Sequence, residues 1–239
     1  MSGRHIFFRL CSLLLAWYCF IFQINAQTSD SLHYTFLQKK IIQAKPLSAP
    51  ALLAGYGIAA FYHNHNFYDR FDAHNDLQKN FPNFKTDADG FLPFAPGIAV
   101  YTLNICGIQG KHNFTDRTAI YLIANAINGG ITLTMKNITH VKRPDKSNSA
   151  SLPSLHTSVA FANAQFMHCE YGERSLWYSS AAYADATAVA VLRMLNNKHW
   201  LSDVMVGAAV GMVSAQITYW IYPAIKKQVI LLIKQKRKY

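Results

Sequence analysis

Six apolar segments dominate this sequence, and each is long enough to form a helix of about four turns or more. They contain 14 to 20 residues, are rich in Ala, Gly and Ser, and are interrupted by polar side chains. Such segments suit closely packed helices in a membrane bundle, although a buried soluble core would also accept them. The sequence shows neither the alternation of apolar and polar residues that is typical of β-strands nor an internal repeat. We therefore expect an all-α fold, a membrane-embedded bundle of about six helices formed by Ala49–Tyr62, Leu92–Ile108, Arg117–Met135, Leu155–Tyr171, Ser175–Leu192 and Asp203–Tyr222.

The first 26 residues have the pattern of a secretory signal peptide. Arg4 and Arg9 form a basic start, Leu10–Phe22 is an apolar run of signal-peptide length, and Ala26 offers a small residue at a cleavage point. We therefore expect residues 1–26 to be a signal peptide. An uncleaved anchor helix is the alternative.

The remaining chain divides by composition into three parts. Residues 27–91 are predicted to hold an N-terminal helix and a polar periplasmic loop, residues 92–225 a helical core, and residues 226–239 a basic tail. The tail contains six Lys or Arg residues and no acid, which places it on the cytoplasmic side by the positive-inside rule.

The polar stretch between Tyr62 and Leu92 contains three histidines that could be considered as metal ligands. His63, His65 and His74 have no carboxylate or cysteine at a recognisable ligand spacing. A solvated loop or cap is therefore the preferred interpretation of this stretch.

The charge balance indicates an anionic partner. The chain has 23 Lys and Arg against 12 Asp and Glu, a net charge of +11, which suits nucleic acid, phosphate or an acidic membrane surface. Four cysteines are too few for a disulfide scaffold, and two of them lie in the predicted signal. The other two, Cys106 and Cys169, are expected to be buried free thiols.

Two features within the apolar segments are expected to be structural. Asp185 stands in the middle of its segment, where a carboxylate is expected to face the bundle and be paired. Gly207-x3-Gly211 has the spacing that lets two helices pack closely.

Three short clusters at the ends of apolar segments contain the candidate chemistry. They read KNITHVKRP, PSLHTS and RMLNNKHWLSD. Each polar member taken alone has an ordinary structural explanation, such as a lysine at a helix end. Together they single out seven candidate site residues: Lys136, Arg143, Ser154, His156, Arg193, His199 and Asp203.

The spacing of His199 and Asp203 has a direct chemical meaning. The two residues are four apart and share one face if a helix begins by His199. A carboxylate in that position takes the Nδ1 proton of the imidazole and leaves Nε2 as a nucleophile.

The three clusters together resemble the signature of the type 2 phosphatidic acid phosphatase (PAP2) superfamily, which includes lipid phosphatases, class A acid phosphatases and vanadium haloperoxidases. That signature is K-x6-R-P, then P-S-G-H, then S-R-x5-H-x3-D, and all three parts occur in order over Lys136–Asp203. Two positions differ, because Leu155 replaces the glycine and Leu192 the serine before the arginine. Neither change removes a nucleophile, an acid or a cation.

The resemblance implies a PAP2/haloperoxidase-like helical fold and four phosphate-binding residues. Lys136, Arg143 and Arg193 would hold the phosphate oxygens and neutralise their charge in the transition state. Ser154 and the amides at the start of the next helix would add hydrogen bonds. Because three fixed cations balance the charge, no metal or other cofactor is expected.

The resemblance also implies three catalytic residues. His199 would attack phosphorus in line and form a phosphohistidine, with Asp203 orienting its ring. His156 would protonate the leaving oxygen and then activate the water that releases phosphate. The segment RMLNNKHWLSD is similar to exported bacterial members of the superfamily that include lipid A 4′-phosphatases, so the expected reaction is hydrolysis of a phosphomonoester on a membrane lipid, with the 4′-phosphate of lipid A as first choice.

The clusters are expected to meet at one membrane face, because they lie at alternating ends of consecutive helices. With Ala49–Tyr62 too short to span and the tail in the cytoplasm, the enzyme would sit in the bacterial inner membrane with its active site facing the periplasm. The expected partners are an anionic phospholipid or lipid A and the membrane, with no nucleic acid and no obligate protein partner. The alternatives are an undecaprenyl diphosphate phosphatase, a soluble periplasmic acid phosphatase, and a non-catalytic phosphate-binding membrane protein.

Overall fold

The computed structural model describes residues 37–62 and 68–236, with side chains described at 47–62 and 68–235. The chain divides into two compact units, residues 1–49 and 50–239, and all three motif clusters lie in the second. The described ranges are helical and contain no strand, which confirms the all-α prediction. The helices are α1 Leu37–Phe61, α2 Arg70–Asn80, α3 Ala88–Phe91, a 3-10 turn Leu92–Phe94, α4 Ala95–Ile105, α5 Phe114–Thr139, α6 Leu155–Tyr171, α7 Leu176–Leu195 and α8 Leu201–Lys236.

Each predicted apolar segment corresponds to one of these helices. Two segments differ from the prediction at their starts. Helix α1 begins at Leu37 and has 25 residues, so it is longer than the predicted segment Ala49–Tyr62. The second segment begins as the 3-10 turn and becomes regular only at Ala95. Pro93 and Pro96 occupy the first turns of these two elements, where the missing amide hydrogen leaves no helical hydrogen bond unmade.

Helix α6 forms the centre of the bundle and packs against α4, α5, α7 and α8. Twelve of its 17 residues are buried, and many of them are small, so that neighbouring helices approach closely. A Cβ added to Gly211 of α8 would overlap the carbonyl oxygen of Ser158. The sequence Gly207-x3-Gly211 therefore serves helix packing, as predicted.

Helices α5 and α8 differ from the others in length and surface. Within the described chain, Phe114–Thr139 and Leu201–Gln235 are the two helices long and apolar enough to cross a membrane, judged by length and composition. Both expose large apolar side chains, among them Leu122 and Leu133 on α5 and residues 229–233 on α8. Helix α8 continues past residue 226 to Lys236, so Lys226, Lys227 and Lys234 are helical.

The polar stretch before Leu92 is not simply a solvated loop. It contains α2, whose N-terminus is closed by a capping box in which Asp69 accepts from the amide of Asp72 and the Asp72 carboxylate accepts from the amide of Asp69. His63 and His65 lie outside the described residues, and His74 packs edge-on against the Trp200 ring, 5.2 Å between centroids. No group of three His, Cys, Asp or Glu side chains in the described ranges is arranged to hold a metal ion.

Two smaller predictions were wrong. Cys106 is a free thiol but is exposed, because it follows the end of α4. Asp185 was expected to be paired within the bundle, yet its buried Oδ2 has no hydrogen-bond partner in the described part of the chain.

Candidate active site

All seven predicted site residues lie at one end of the bundle. Lys136 is in the last turn of α5 and Ser154 caps the start of α6. Arg193 is in the last turn of α7, and Asp203 is in the first turn of α8. The Ser154 amide donates to the Asp203 carbonyl oxygen at 3.0 Å, which ties the starts of α6 and α8 together.

His199 and Asp203 form a buried pair, although not on one helical face. Helix α8 begins at Leu201, so His199 precedes it and its ring folds back over the first turn. Nδ1 lies 3.4 Å from Asp203 Oδ2, and the side chains are 1% and 0% exposed. This arrangement directs Nδ1 to the carboxylate and leaves Nε2 for another partner.

Two further donors hold Oδ2 of the Asp203 carboxylate. Oδ2 accepts from the hydroxyl of Ser151 at 2.5 Å and from the amide of Trp200 at 2.9 Å. The Ser151 oxygen also lies 3.5 Å from His199 Nδ1. A carboxylate fixed by several hydrogen bonds positions the imidazole more rigidly than one bond could.

The charge state of His199 suits a nucleophile. Burial, opposed by Asp203 and assisted by Arg193 and Arg143, lowers the pKa of its imidazole to about 4. Because an imidazole with that pKa is neutral at pH 7, Nε2 has its lone pair free.

Two arginines present unsatisfied donors at this end of the bundle. The Nε atoms of Arg143 and Arg193 are buried and have no hydrogen-bond partner among the described residues. The two guanidinium groups are close enough that Arg193, after burial, contributes to lowering the pKa of Arg143. Buried cationic donors without a partner are costly, and an anion between them would satisfy both.

Lys136 and Ser154 have structural partners in addition to their predicted role. Lys136 Nζ donates to the carbonyl oxygens of Ala150 and Ser151, at 2.5 and 3.4 Å, and so holds the loop that precedes α6. The Ser154 oxygen accepts from the Thr157 hydroxyl and amide, at 3.0 and 3.4 Å. No acceptor for its own hydroxyl hydrogen is found among the described residues, so this hydroxyl can donate to an anion at the helix N-terminus.

The side chain of His156 is half-buried and makes no hydrogen bond within the described ranges. Burial, followed by Arg193, Arg143 and Lys136, lowers the pKa of its imidazole, and Asp89 raises it. A neutral or easily deprotonated imidazole beside a cationic pocket can exchange a proton with a leaving oxygen or a water.

Four residues at the site were not predicted from the sequence: Asp89, Ser151, Asn196 and Trp200. Asp89 accepts from Arg193 Nη1 at 2.7 Å and from Asn196 Nδ2 at 3.0 Å. The Trp200 ring nitrogen donates to the Lys142 carbonyl oxygen at 2.8 Å. Asn196 and Trp200 lie inside the cluster RMLNNKHWLSD, whereas Asp89 and Ser151 carried no spacing signal.

The chain is similar to a known family and to known proteins. The model of the PAP2 superfamily matches residues 117–227, a range that contains all seven predicted site residues but not Asp89. A lipid A 1-phosphatase of Porphyromonas gingivalis strain ATCC 33277 is 36% identical over 140 residues, 58% of this chain and 32% of that protein. The chain thus spans about a third of that relative's length. The crystal structure of Aquifex aeolicus LpxE aligns with 60% of this chain and 92% of its own, at 17% identity and a TM-score of 0.46.

Proposed function

Since residues 117–227 of this chain are a PAP2 superfamily domain, we propose that the protein is a metal-independent phosphatase that hydrolyses a phosphomonoester on a membrane lipid, with lipid A as substrate. One observation carries the proposal. The buried, unpartnered Nε atoms of Arg143 and Arg193 lie at the end of the bundle that also holds the buried, neutral His199. Two orphaned cationic donors near a poised nucleophile suit a phosphate better than any neutral ligand.

The proposed reaction has two steps. In the first, His199 Nε2 attacks phosphorus in line, an N–P bond forms, and the bond from phosphorus to the leaving lipid oxygen breaks as His156 gives that oxygen a proton. In the second, His156 takes a proton from water, the hydroxide attacks phosphorus, and the N–P bond breaks to release inorganic phosphate. Asp203 keeps the Nδ1 proton in place throughout and stabilises the positive charge on the ring.

Arg143, Arg193 and Lys136 would neutralise the three phosphate oxygens during both steps. Their charge does not depend on a bound ion, so activity is expected to persist in EDTA. Rescue of an EDTA-treated enzyme by a divalent ion would contradict this part of the proposal.

The lipid substrate is supported by the relative and by the surface of the protein. The similar region of the Porphyromonas gingivalis protein belongs to a lipid A 1-phosphatase, and α5 and α8 have membrane-spanning length and composition. The site lies where α5 ends and α8 begins, so a bilayer around these helices would place the pocket at head-group depth. The motif RMLNNKHWLSD favours the 4′-phosphate as the group that is removed, whereas the named relative favours the 1-phosphate. Determining which phosphate remains on the product lipid would decide between the two positions.

The proposed location is the bacterial inner membrane with the site facing the periplasm. Lys226, Lys227 and Lys234 lie on α8 at the far end from Asp203, where a cytoplasmic head-group region would attract them. The proposal includes cleavage of residues 1–26 during export. Release of the protein with periplasmic contents, without detergent, would favour a soluble enzyme instead.

The decisive test is tandem mass spectrometry of lipid A from a deletion strain and from strains complemented with wild type, His199→Ala or His140→Asn. The deletion and His199→Ala strains should retain one phosphate that wild type and His140→Asn remove. His140 is an exposed histidine with φ +47°, which asparagine tolerates, so it serves as the matched control. Fragment masses assign the 1 or 4′ position. Unchanged lipid A in the deletion strain would overturn lipid A as the substrate, and polyprenyl diphosphate would then be tested on the purified protein.

A further inference from the structure

We infer that Asp89 is a positioning residue of this site, which acts through Arg193 and His156 and is contributed by the segment before the PAP2-matching region. The inference rests on the proposed function. Asp89 lies in α3, 28 residues before the family match begins at residue 117. It is 4% exposed, although it belongs to a polar stretch.

The geometry of the carboxylate is the first support. Asp89 Oδ2 accepts from Arg193 Nη1 at 2.7 Å, in an ion pair whose two side chains are 10% and 5% exposed. A charge-assisted bond of this length fixes the plane of the guanidinium group. Because Asp89 holds Nη1 of Arg193, the direction of the Nε–H bond is also fixed. This Nε has no hydrogen-bond partner among the described residues.

A second set of contacts fixes Asp89 itself. Asn196 donates through Nδ2 to Asp89 Oδ2 at 3.0 Å and to the Thr86 carbonyl oxygen at 2.8 Å, and its Oδ1 accepts from the Thr86 amide at 3.0 Å. One amide side chain just after α7 thereby fastens residues 86–89 to the turn that contains the catalytic motif. Side-chain hydrogen bonds therefore fix the position of this segment.

The electrostatic position of Asp89 is the third support. Four charged groups face His156 from the elements around it: Arg193 on α7, Arg143 in the loop after α5, Lys136 on α5 and Asp89 on α3. The three cations lower the pKa of His156, after burial, and Asp89 alone among the four raises it. Loss of the Asp89 charge would therefore lower the pKa of His156. This would impair the reaction, because a general acid must be protonated before it can give a proton to the leaving oxygen.

Asp89 thus links the two halves of the reaction. It orients one phosphate-binding arginine, and its charge keeps the imidazole of His156 protonated to a higher pH than three neighbouring cations would allow. Because one guanidinium nitrogen of Arg193 is paired with Asp89, fewer donors of this side chain remain for phosphate. The pairing therefore restricts the guanidinium group to a single arrangement and does not tighten binding of the ground state.

The test compares Asp89→Asn with Asp87→Asn in the purified full-length protein, using lipid A as substrate. Asp87 is exposed and its side chain makes no capping hydrogen bond, so its variant should stay within about twofold of wild type. Asp89→Asn should lower kcat by roughly 10²-fold, because a misplaced arginine loses transition-state contacts, with KM changed far less. Equal kcat values for the two variants would overturn the inference.

Two measurements separate positioning from a general loss of structure. The high-pH limb of kcat/KM should move to lower pH in Asp89→Asn and stay in place in Asp89→Glu, which keeps the charge. In an Arg193→Ala background, and at a pH low enough to keep His156 protonated in every variant, Asp89→Asn should have little further effect on kcat, since the remaining role of Asp89 is to orient the missing guanidinium. An unmoved limb, or an equal loss in that background, would contradict the inference.

The outcomes also separate this inference from the proposed function. If wild type is inactive on lipid A, the proposed substrate fails, and the same variants are then compared with p-nitrophenyl phosphate. If wild type is active and Asp89→Asn behaves like Asp87→Asn, only the role of Asp89 fails. If Asp89→Asn does not fold, Asp89→Glu carries the test, because the retained charge in a shifted position should lower kcat without moving the pH limb.

Discussion

Gly207 of α8 lies directly against the main-chain carbonyl oxygen of Ser154, the residue that caps α6: a Cβ built on Gly207 would be 2.7 Å from that oxygen. The Ser154 amide donates to Asp203, one turn earlier on α8. The close approach of the two helices therefore sets the separation between the start of α6 and the pair formed by His199 and Asp203.

Gly207→Ala should lower both stability and activity. The added methyl group must push α8 from α6, and overpacking of this kind costs about 1–3 kcal/mol. Thermal unfolding and kcat with lipid A measure the two effects. Gly130→Ala is the matched control, since Gly130 is exposed in α5 with open space around it and alanine there should raise helix stability by roughly 0.5–1 kcal/mol. An unaltered midpoint in Gly207→Ala would show that the helices can separate freely.

Ser151→Ala should impair turnover although Ser151 belongs to no recognised motif. It removes the hydroxyl that donates to Asp203 Oδ2, and a buried acceptor that loses its donor costs about 1–3 kcal/mol. We expect a fall in kcat of roughly 10-fold or more with KM nearly unchanged, measured by phosphate release. The control variant is Ser147→Ala, which should behave as wild type. Ser147 is exposed, and its backbone amide, which the substitution keeps, donates to Asp145 Oδ1.

Activity should persist well into the acid range as far as His199 is concerned. Its pKa is lowered to about 4, so the neutral nucleophile survives at pH 5 and is lost only as the pH approaches 4. A pH profile of kcat/KM that falls towards acid pH with a midpoint near 6.5 would contradict this assignment.

The same lowered pKa makes stability depend on pH. The unfolded imidazole, with a pKa of 6.5, binds a proton between pH 6.5 and 4 while the folded one does not. Its contribution to folding is therefore complete above pH 6.5 and declines as the pH falls towards 4. Thermal midpoints measured from pH 7 to pH 4 should fall more steeply for wild type than for His199→Gln. Parallel curves would show that the folded and unfolded imidazoles of His199 have the same pKa.

Cells that lack this protein should become more sensitive to cationic peptides of the polymyxin type. A retained phosphate makes the lipid surface more negative, and each basic residue of a peptide gains about 1 kcal/mol near such a surface. Minimal inhibitory concentrations should fall in the deletion and His199→Ala strains, with little change for a neutral detergent. Restored resistance in the His199→Ala strain would show that catalysis is not the cause.

The sequence alone determined the helical class and pointed to the candidate site residues. Six apolar segments of helical length led directly to α1 and α4–α8, because burial of one apolar face per helix is a local property of the chain. The spacing within KNITHVKRP, PSLHTS and RMLNNKHWLSD identified seven residues that the structure brings to one end of the bundle. Local spacing sufficed there because each cluster sits at a helix end, and consecutive antiparallel helices return those ends to one side.

Helix α2 could also have been found from the sequence. Asp69 and Asp72 are spaced as in a capping box, but the polar composition around them concealed the helix. Its exposed face carries few apolar residues, so hydrophobic periodicity gave no indication of it.

Only the tertiary structure revealed the hydrogen-bond partners of the candidate site residues. Asp89 and Arg193 are 104 residues apart, and Ser151 and Asp203 are 52 apart, so no periodicity or motif relates them. Asp185 shows the opposite outcome, since a carboxylate expected to be paired has no partner in the described chain. A helix and a motif depend on neighbours along the chain, whereas the direction of a guanidinium or an imidazole depends on which distant side chain lies within about 3 Å of it after packing.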